Sequence, residues 1–385
     1  MDNFEFYIPT RVYFGRGQIE QLKHELPAYG KRVLLVYGGG SIKRSGIYDT
    51  VGAIAKEAGV ELFELSGVES NPTIKTVRRG VALCREHGVD AVLAIGGGSV
   101  IDCSKVVAAG NCYDGDPWDL VIHPERMEKA LPILTVLTIA ATGSEMDHIA
   151  VITNEETNDK LGTRNPVLRP KVSILDPTYT FTVNAFQTAS GVADIMSHAM
   201  ESYFAKSEAK LQDYFAESIL RVCVEFGKKA LDTPDDYEAR ANIMWASSWA
   251  INDTLKLGHM IQWSVHPIEH QLSAVYNMTH GVGLAILTPH WMEHVLSEET
   301  VDKFYELAVT IWKVPESEDK FAVAKEGIER LKKFYRTLGI SEHLADFGID
   351  ETYFEAMAGK AAAQLATAYK PLTKEEVIEI YRESL

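Results

Sequence analysis

Cysteine is scarce in this chain of 385 residues, which contains only four, at Cys84, Cys103, Cys112 and Cys223. None of them forms a CxxC pair, and four are too few for a disulfide framework in a chain of this length, so we expect reduced thiols. No stretch approaches the roughly eighteen apolar residues of a membrane span. The N-terminus "MDNFEFYIPTRVYFG" also lacks the pattern of a secretory leader. The sequence therefore predicts a cytoplasmic protein that does not insert into membranes.

Basic residues are also in deficit. The chain has 38 Lys and Arg residues against 54 Asp and Glu residues, which gives a formal net charge of -16 at pH 7. This balance argues against nucleic acid or an anionic membrane surface as the main partner, because both repel an acidic protein. Any phosphate group that binds must therefore be held by local loops. The hydrophobic content of 46% supports two domains with sizeable cores.

The pattern of apolar residues changes near residue 188. Before it, short β-branched runs alternate with amphipathic stretches, which predicts a Rossmann-like α/β domain with a parallel sheet over residues 1–188. After it, long amphipathic runs show apolar residues at every third or fourth position, which predicts an all-α domain over residues 189–385. The β-branched runs are "RVLLVY" (32–37), "ELFEL" (61–65), "AVLAI" (91–95), "PILTVLT" (132–138) and "KVSILD" (171–176). The clearest helical runs cover residues 210–231 and 319–340.

Two of these strands end in glycine loops. The second loop, "GGGSVIDCSK", has Gly96, Gly97, Gly98 and Ser99 at the start of a helical pattern, where backbone N–H groups can hold a pyrophosphate. The alternative is a tight turn that needs glycine only for its dihedral angles. The first loop, "YGGGSIKRSG", repeats the arrangement, and ligands of parallel sheets bind at the carboxyl ends of strands. Neither loop matches GxGxxG or GxxxxGK[ST], so neither is an ordinary Rossmann or Walker A loop.

The first glycine loop also bears on the choice of cofactor. Gly38, Gly39, Gly40 and Ser41 are followed by Lys43 and Arg44, with no acid before Asp49. An acidic residue near the adenosine ribose favours NAD, whereas small and basic residues admit a 2′-phosphate. The loop therefore favours NADP(H) over NAD(H), unless the two cations are merely solvated. A third stretch, "LTIAATGSEMDHIAVIT", gathers Thr138, Thr142 and Asp147 at a strand end; such hydroxyls bond ribose or phosphate oxygens, but they also cap helices.

A histidine-rich stretch suggests a metal. Asp194 and His198 lie four positions apart on an apolar helical pattern, so both side chains occupy one helix face. By itself this pair is better explained by a carboxylate that orients an imidazole, or by two polar residues on a solvated helix edge. "HPIEHQLSAVYNMTHG" adds His266, His270 and His280, with Pro267 marking a helix start and Gly281 a chain break. One carboxylate with up to three imidazoles suits Zn(II) or Fe(II). The pair His290 and His294 is the rival candidate.

These motifs together resemble the iron-containing alcohol dehydrogenase family, in its branch of NAD(P)H-dependent butanol dehydrogenases and aldehyde reductases. The resemblance rests on "YGGGSIKRSGIYD", "GGGSVIDCSK", "TIAATGSE", "GVADIMSHAMESY" and "HPIEHQLSAVYNMTHG". It implies that a divalent metal is bound by Asp194, His198, His266 and His280, and that His270 lies close to the nicotinamide. It also implies that Asp102 helps the second glycine loop to hold the pyrophosphate, and that Lys160 lies near the cofactor.

The function expected from this resemblance is hydride transfer between NADP(H) and a small to medium aldehyde or primary alcohol, with the metal as Lewis acid. Three alternatives remain: a polyol dehydrogenase of the same superfamily, a metal-dependent hydrolase, and a nucleotide-binding regulator without catalysis. The segment "FEFYIPTRVYF" reads as an extended edge strand. Because such a strand pairs readily with its copy in a symmetric mate, a homodimer is expected, as it is from the family.

Overall fold

The computed structural model describes residues 1–259 and 262–385. The chain divides into two compact units. The α/β unit comprises Tyr7–Val183 and Pro234–Asn252, and the helical unit comprises Met1–Phe6, Asn184–Thr233 and Asp253–Leu385. These units differ from the predicted ranges 1–188 and 189–385 at residues 1–6, 184–188 and 234–252. The dinucleotide-binding and metal-binding roles given to the two ranges remain predictions.

The α/β unit is built on a parallel sheet, which confirms the predicted fold class. Six of the eight strands described form this sheet in the order β1-β8-β5-β4-β2-β3, and β6 pairs antiparallel with β7. The strands are β1 Arg11–Phe14, β2 Arg32–Tyr37, β3 Glu61–Leu65, β4 Ala91–Gly96, β5 Ile133–Leu137, β6 Ile149–Asn154, β7 Asp159–Arg164 and β8 Val172–Leu175. Each predicted β-branched run corresponds to one of these strands within two residues at either end.

The central strands are apolar throughout because helices cover both faces of the sheet. Along β2, Leu34 and Val36 join one buried cluster, whereas Val33, Leu35 and Tyr37 join another. All six residues of β4 are buried. This explains why the strands read as continuous apolar runs rather than as alternating patterns.

Helices account for most of the remaining chain. In chain order they are α1 Leu22–Tyr29, α2 Ser41–Arg44, α3 Ile47–Ala58, α4 Ile74–His87, α5 Gly98–Gly110, α6 Pro117–Ile122, α7 Ala185–Tyr203, α8 Lys210–Asp232, α9 Tyr237–Ile251, α10 His266–Tyr276, α11 His280–Val295, α12 Val301–Thr310, α13 Lys320–Thr337, α14 Phe354–Ala362 and α15 Lys374–Glu383. Short 3-10 helices are Gln18–Gln21, Pro124–Arg126, Pro166–Leu168, Pro177–Thr180, Thr254–Lys256, Leu344–Phe347 and Glu351–Tyr353. None of the helices in the described ranges is long and apolar enough to cross a membrane.

Helix α9 lies in the predicted helical half but packs in the α/β unit. Its Ser248 hydroxyl donates to the buried Glu145 carboxylate, and its Trp245 ring lies 5.7 Å from that of Phe14. Conversely, the N–H of Asp2 donates to Gly258 O at 2.7 Å within the helical unit. An amphipathic pattern shows that a helix buries one face but not which neighbour covers that face, so the sequence could not assign α9.

Two further details differ from the sequence-based expectations. The hairpin of β6 and β7 was not anticipated, although β6 alternates buried and half-buried residues and the polar turn 155–158 follows it. Helix α11 begins at His280, so Gly281 lies in its first turn and the chain break falls earlier, at 277–279. Helix α10 begins at His266 as predicted, with Pro267 in its first turn. Within the described part of residues 184–385, strands are absent as expected.

Candidate metal centre and nucleotide site

Helix α7 presents three acidic or imidazole side chains to one point of the helical unit. Asp194, His198 and Glu201 follow one another at helical spacing, and all three are at least 95% buried. The Nε2 atom of His198 lies 3.5 Å from Oδ1 of Asp194. The predicted pairing of these two residues on one face is therefore present in the structure, with a further carboxylate one turn on that sequence reasoning missed.

The start of helix α10 places His266 beside this group. Its ring stacks on that of His198 with centroids 4.9 Å apart. Its Nδ1 atom hydrogen-bonds to Oε1 of Glu201 at 2.5 Å, so Nε2 is the ring nitrogen that remains available to a ligand. Among the described residues, neither His266 Nε2 nor His198 Nδ1 has a hydrogen-bond partner, although both atoms are buried. Buried nitrogens without a partner are unusual and are expected where a ligand binds.

His280 completes the cluster from the first turn of α11. Its Nε2 atom lies 3.8 Å from Oδ1 of Asp194, and its Nδ1 atom bonds to the buried carboxylate of Glu269. Helix α11 approaches α7 closely at Gly281, where a Cβ atom would stand 2.0 Å from the carbonyl oxygen of Ser190. The absence of a side chain at this position therefore allows His280 to reach Asp194.

The pKa values of two rings in the cluster shift in opposite directions. Burial, followed by the neighbouring His266 and His280, holds the pKa of His198 well below its usual value, so this ring is neutral. Burial opposes charge on His266 too, but Glu201 outweighs it and raises the pKa of that ring. The ligand atoms of Asp194, His198 and His266 lie within 4.8 Å of one another. One carboxylate with three imidazoles is a donor set that fits Zn(II) or Fe(II).

His270 lies one turn beyond His266 and is half-buried. Its ring centroid is 5.4 Å from that of His280 and 6.0 Å from that of His266. The His270 ring therefore lies at the edge of the cluster and is closer to His280 than to His266. The rival metal-binding pair, His290 and His294, lies farther along α11. Nδ1 of His290 is 3.6 Å from Oε2 of Glu293, and Nε2 of His294 is 3.7 Å from Oε1 of Glu376.

In the α/β unit, the two glycine loops leave neighbouring strands. Tyr37 at the end of β2 is in register with Ile95 of β4. The chain turns from β2 outward to β3 and then returns to β4 on the other side, so the order of strands reverses between β2 and β4. Ligands of open α/β sheets bind at such a switch point. A Cβ added at Gly96 would lie 2.5 Å from Cγ2 of Val100, and one added at Gly38 would lie 3.9 Å from the same atom. Both glycine loops therefore lie close to the first turn of α5.

The second glycine loop also meets the threonine-rich segment. The N–H of Thr138 donates to Gly96 O at 3.0 Å. A Cβ on Gly98 would lie 2.2 Å from the hydroxyl oxygen of Thr142, so only glycine fits there. Gly97 precedes α5, and the Ser99 hydroxyl donates to Ser70 O at 2.5 Å. The structure therefore brings together the predicted loop and both predicted threonines.

The first glycine loop has an acidic neighbour that the sequence does not reveal. Gly40 has a φ of 92° and is the N-cap residue of α2, which begins at Ser41. A Cβ added at Gly39 would meet nothing within 4 Å. Lys43 lies over the Tyr48 ring at 4.4 Å and 3.8 Å from Glu64 on β3. Glu64 is remote in sequence but adjacent in the sheet. Lys43 is therefore neither simply solvated nor free of acidic neighbours.

The remaining predicted cofactor residues belong to a buried polar network or to the hairpin. Asp102 accepts hydrogen bonds from Ser144 Oγ at 2.6 Å and from the N–H of Val151 at 2.9 Å. Burial raises the pKa of Asp102 to about 6, against the opposing effect of Lys105. The fully buried Lys105 ammonium donates to Asp147 at 2.6 Å. Lys160 is buried on β7 opposite Thr153.

Lys105 is a functional candidate that sequence reasoning missed. It donates to Ser144, Asp147 and the carbonyl oxygen of Ile149, and so fixes the segment that follows Thr142. The available signal was its position one turn after Asp102 on the helix that the second glycine loop begins. A lysine inside an apolar helical pattern is costly to bury unless acidic partners surround it.

A parallel sheet with two glycine loops at its switch point, and a cluster of one aspartate and three histidines, are features typical of metal-using nucleotide-dependent oxidoreductases. The family model of iron-containing alcohol dehydrogenase matches residues 9–177, and that of the Fe-containing alcohol dehydrogenase family C-terminal region matches residues 188–385. The chain belongs to the iron-containing alcohol dehydrogenase family, which confirms the resemblance drawn from its motifs.

Relatives of known description match over nearly the whole chain. The NADH-dependent butanol dehydrogenase A of Clostridium acetobutylicum is 53% identical, with all of both chains covered. An NADPH-dependent aldehyde reductase of Escherichia coli is 38% identical over 94% of this chain and 93% of its own. Among solved structures, the NADH-dependent butanol dehydrogenase A of Thermotoga maritima is 40% identical with a TM-score of 0.95, covering 100% of this chain and 99% of its own.

Proposed function

We propose that this protein interconverts small to medium aldehydes and primary alcohols, such as butanal and butanol, with a nicotinamide cofactor and one divalent metal. Oxidoreduction of alcohols and aldehydes is the activity of its family. The observation that carries the proposal is the buried group of Asp194, His198 and His266, whose ligand atoms lie within 4.8 Å of one another. The half-buried His280 joins this group, with its Nε2 atom 3.8 Å from Oδ1 of Asp194. The butanol dehydrogenase and aldehyde reductase relatives support the substrate class.

The four residues of the cluster would hold Zn(II) or Fe(II), since both ions accept these ligands. When bound, such an ion supplies Lewis acidity, which polarises a carbonyl oxygen and stabilises negative charge on it. A bound nicotinamide would supply the hydride for the carbonyl carbon, and the oxygen would then require a proton. We assign delivery of that proton to His270, whose half-buried ring adjoins His280.

We propose that the cofactor binds at the switch point between β2 and β4. Contacts are assigned to both glycine loops and to the segments packed on them. These residues are Gly38, Gly39, Gly40, Ser41, Lys43, Gly96, Gly97, Gly98, Ser99, Asp102, Thr138, Thr142, Asp147 and Lys160. The register of Tyr37 with Ile95 supports this placement, because it puts both glycine loops at the ends of neighbouring strands. The clash of a Gly98 Cβ with the Thr142 side chain supports it too, because the threonine segment packs directly on the second loop.

The preference for NADP(H) over NAD(H) rests on the first glycine loop. Its small residues and Lys43 suit a 2′-phosphate, whereas Glu64, 3.8 Å from Lys43, repels one. The relatives include both an NADH-dependent and an NADPH-dependent enzyme. We propose NADP(H), because the small residues of the loop leave room for the phosphate and Lys43 offers it a cation. The hydroxyls of Tyr37 and Tyr48 donate to Glu64 and keep it ionised, which acts against the phosphate.

Replacement of Gly38 by aspartate tests this preference. A Cβ at Gly38 would lie 3.4 Å from Val68 O, so a side chain fits with a small adjustment. We expect the ratio of kcat/KM for NADPH to that for NADH to exceed one in the wild type and to fall at least tenfold in Gly38→Asp. Gly52→Ala is the control, because Gly52 lies on α3 outside the proposed contacts and an added Cβ there meets nothing within 4 Å; it should keep the wild-type ratio. A wild type that prefers NADH would show that the preference is wrong.

The central experiment measures NADPH and NADH oxidation with butanal, with and without a chelator, alongside metal content. We expect activity and metal to be lost together in His266→Ala and His280→Ala and retained in His290→Ala. Full metal and activity in His280→Ala would refute the proposed ligand set. Glycerol outperforming butanal would indicate a polyol dehydrogenase, and hydrolysis without cofactor would indicate a metallohydrolase.

The proposed assembly is a homodimer in which β1 pairs with its copy. Strand β1 lies at the edge of the sheet, and Phe4, Phe6 and Tyr7 before it are more than half exposed. An uncapped edge strand beside exposed apolar side chains favours self-association. The cytoplasmic location expected from the sequence remains a prediction.

A further inference from the structure

We infer that Glu201 and Glu269 are positioning residues that fix the orientation and tautomer of His266 and His280 and thereby set the affinity of the metal centre. The inference rests on the proposed function, because it takes the cluster to be a metal site. It concerns two carboxylates that contact ligand side chains but are not themselves among the four proposed ligands.

Glu201 holds both the ring of His266 and the backbone that carries it. Its carboxylate accepts a hydrogen bond from Nδ1 of His266 and three more from the backbone N–H groups of Ser264, Val265 and His266. The last three groups lie at the start of α10, where helix N–H groups lack intrahelical acceptors and favour an anion. Glu201 stands on α7 with Asp194 and His198, so it ties the start of α10 to the helix that supplies two ligands.

Glu269 does the same for His280. Its side chain is completely buried, one oxygen bonds to Nδ1 of His280, and the other accepts from the Ser273 hydroxyl at 2.5 Å. Gly283 lies directly against it: a Cβ there would stand 2.8 Å from Glu269 Cγ and 3.0 Å from Oε1. The space beside the carboxylate is therefore filled, and the side chain is held in one place.

The consequence for the rings is the same in both cases. A carboxylate that accepts from Nδ1 keeps the proton on that atom, so the lone pair is on Nε2, which faces the cluster. The negative charge also makes the ring a better electron donor to a cation. Burying a carboxylate is costly unless hydrogen-bond donors stabilise its charge. Glu201 accepts from three backbone N–H groups and the His266 ring, and Glu269 accepts from Ser273 and the His280 ring.

The test compares Zn(II) affinity of the full-length apoprotein by competition with a chromophoric chelator. Glu201→Gln and Glu269→Gln keep the shape but remove the charge, and each should weaken zinc binding roughly 10- to 100-fold. Glu217→Gln is the matched control: Glu217 is equally buried on α8, but its ion pair is with Arg221 on its own helix. It should bind zinc within about twofold of the wild type.

A fourth variant leaves both carboxylates intact. Gly283→Ala should displace Glu269 and therefore weaken zinc binding, as Glu269→Gln does. If Glu201→Gln does not fold, Gly283→Ala and Glu269→Gln together still test the proposal. Melting temperatures separate the two roles. A purely structural carboxylate would lower the Tm of the apoprotein and leave the zinc-induced rise unchanged, whereas the proposed role reduces that rise.

The possible failures are distinguishable. A wild type that binds no zinc tightly would refute the proposed metal centre itself. A wild type that binds zinc, with Glu201→Gln, Glu269→Gln and Gly283→Ala all within about twofold of it, would refute the positioning role alone.

Discussion

Glu145 lies in the α/β unit beside the segment that contacts the second glycine loop. Its side chain is completely buried; one oxygen accepts from the Ser248 hydroxyl, and Oε2 has no hydrogen-bond partner among the residues described. Burial raises the pKa of this carboxyl from 4.5 to about 7, against the opposing hydrogen bond from Ser248. The protonated form is therefore the one that the folded protein accommodates, and its charge has a stability cost at higher pH.

We predict that Glu145→Gln gains stability relative to the wild type as the pH rises. Because the folded pKa exceeds the unfolded value, the stability from this proton is present below pH 4.5 and is lost as the pH rises to about 7. At about 1.4 kcal/mol per pKa unit, the difference in unfolding free energy should change by roughly 3 kcal/mol. Urea unfolding over this pH range measures it.

The control for this prediction is Glu379→Gln, which makes the same change at an exposed position of α15. Its stability difference from the wild type should stay flat over the same range. If the Glu145→Gln difference is equally flat, the carboxyl is ionised in the folded protein and the assigned protonation is wrong.

At the scale of helices, the contact between α7 and α11 sets the geometry of the proposed metal centre. Asp194 and His198 lie on α7, and His280 lies on α11. The two helices meet where Gly281 faces the carbonyl oxygen of Ser190, and a Cβ there would be only 2.0 Å from that oxygen. Backbone cannot yield as a flexible side chain can, so any larger residue must push the helices apart.

Gly281→Ala should therefore weaken both the fold and the site. Overpacking of this kind typically costs about 1–3 kcal/mol, and moving His280 from Asp194 should weaken zinc binding at least tenfold. Gly359→Ala is the control on α14, where a Cβ meets nothing within 4 Å. There, alanine should raise stability by roughly 0.5–1 kcal/mol, because it lowers the entropy of the unfolded chain. Unchanged zinc affinity in Gly281→Ala would mean that the helices can separate without disturbing the ligands.

At the scale of the whole molecule, the prediction concerns assembly. The N–H groups of Arg11 and Gly15 donate to the carbonyl oxygens of Lys171 and Leu175, at the two ends of β8. Because the N–H groups of successive residues in a strand point to opposite sides, the N–H of Val12 points to the open edge of the sheet. Light scattering at micromolar concentration should give twice the chain mass of 42.7 kDa. Val12→Pro removes an outward donor while keeping the bonds to β8, and it should shift the mass towards the monomer.

Two results would contradict this assembly. A monomer mass for the wild type would exclude the dimer at that concentration. A Val12→Pro variant that keeps its fold, as judged by circular dichroism, and remains a dimer would show that the subunits associate through another surface.

The sequence by itself determined the strands of the central sheet and the longest helices of this protein, and it contains the residue types of the proposed metal site. The apolar runs at 32–37 and 61–65 coincide with β2 and β3, and the runs at 210–231 and 319–340 correspond to α8 and α13. These features follow from local periodicity, which is set by the pitch of a helix and the alternation of a strand. The i,i+4 spacing of Asp194 and His198 is equally local, and the glycine loops are short contiguous motifs.

Only the tertiary structure decided which faces meet. The placement of α9 in the α/β unit, the approach of Glu64 to Lys43 and the bonds from Lys105 to Asp147 join residues that are distant in sequence. The same holds for Glu201 with His266, which are 65 positions apart. Periodicity shows that a side chain is buried but leaves its partner open, because the partner depends on how helices and strands pack once their apolar faces are covered.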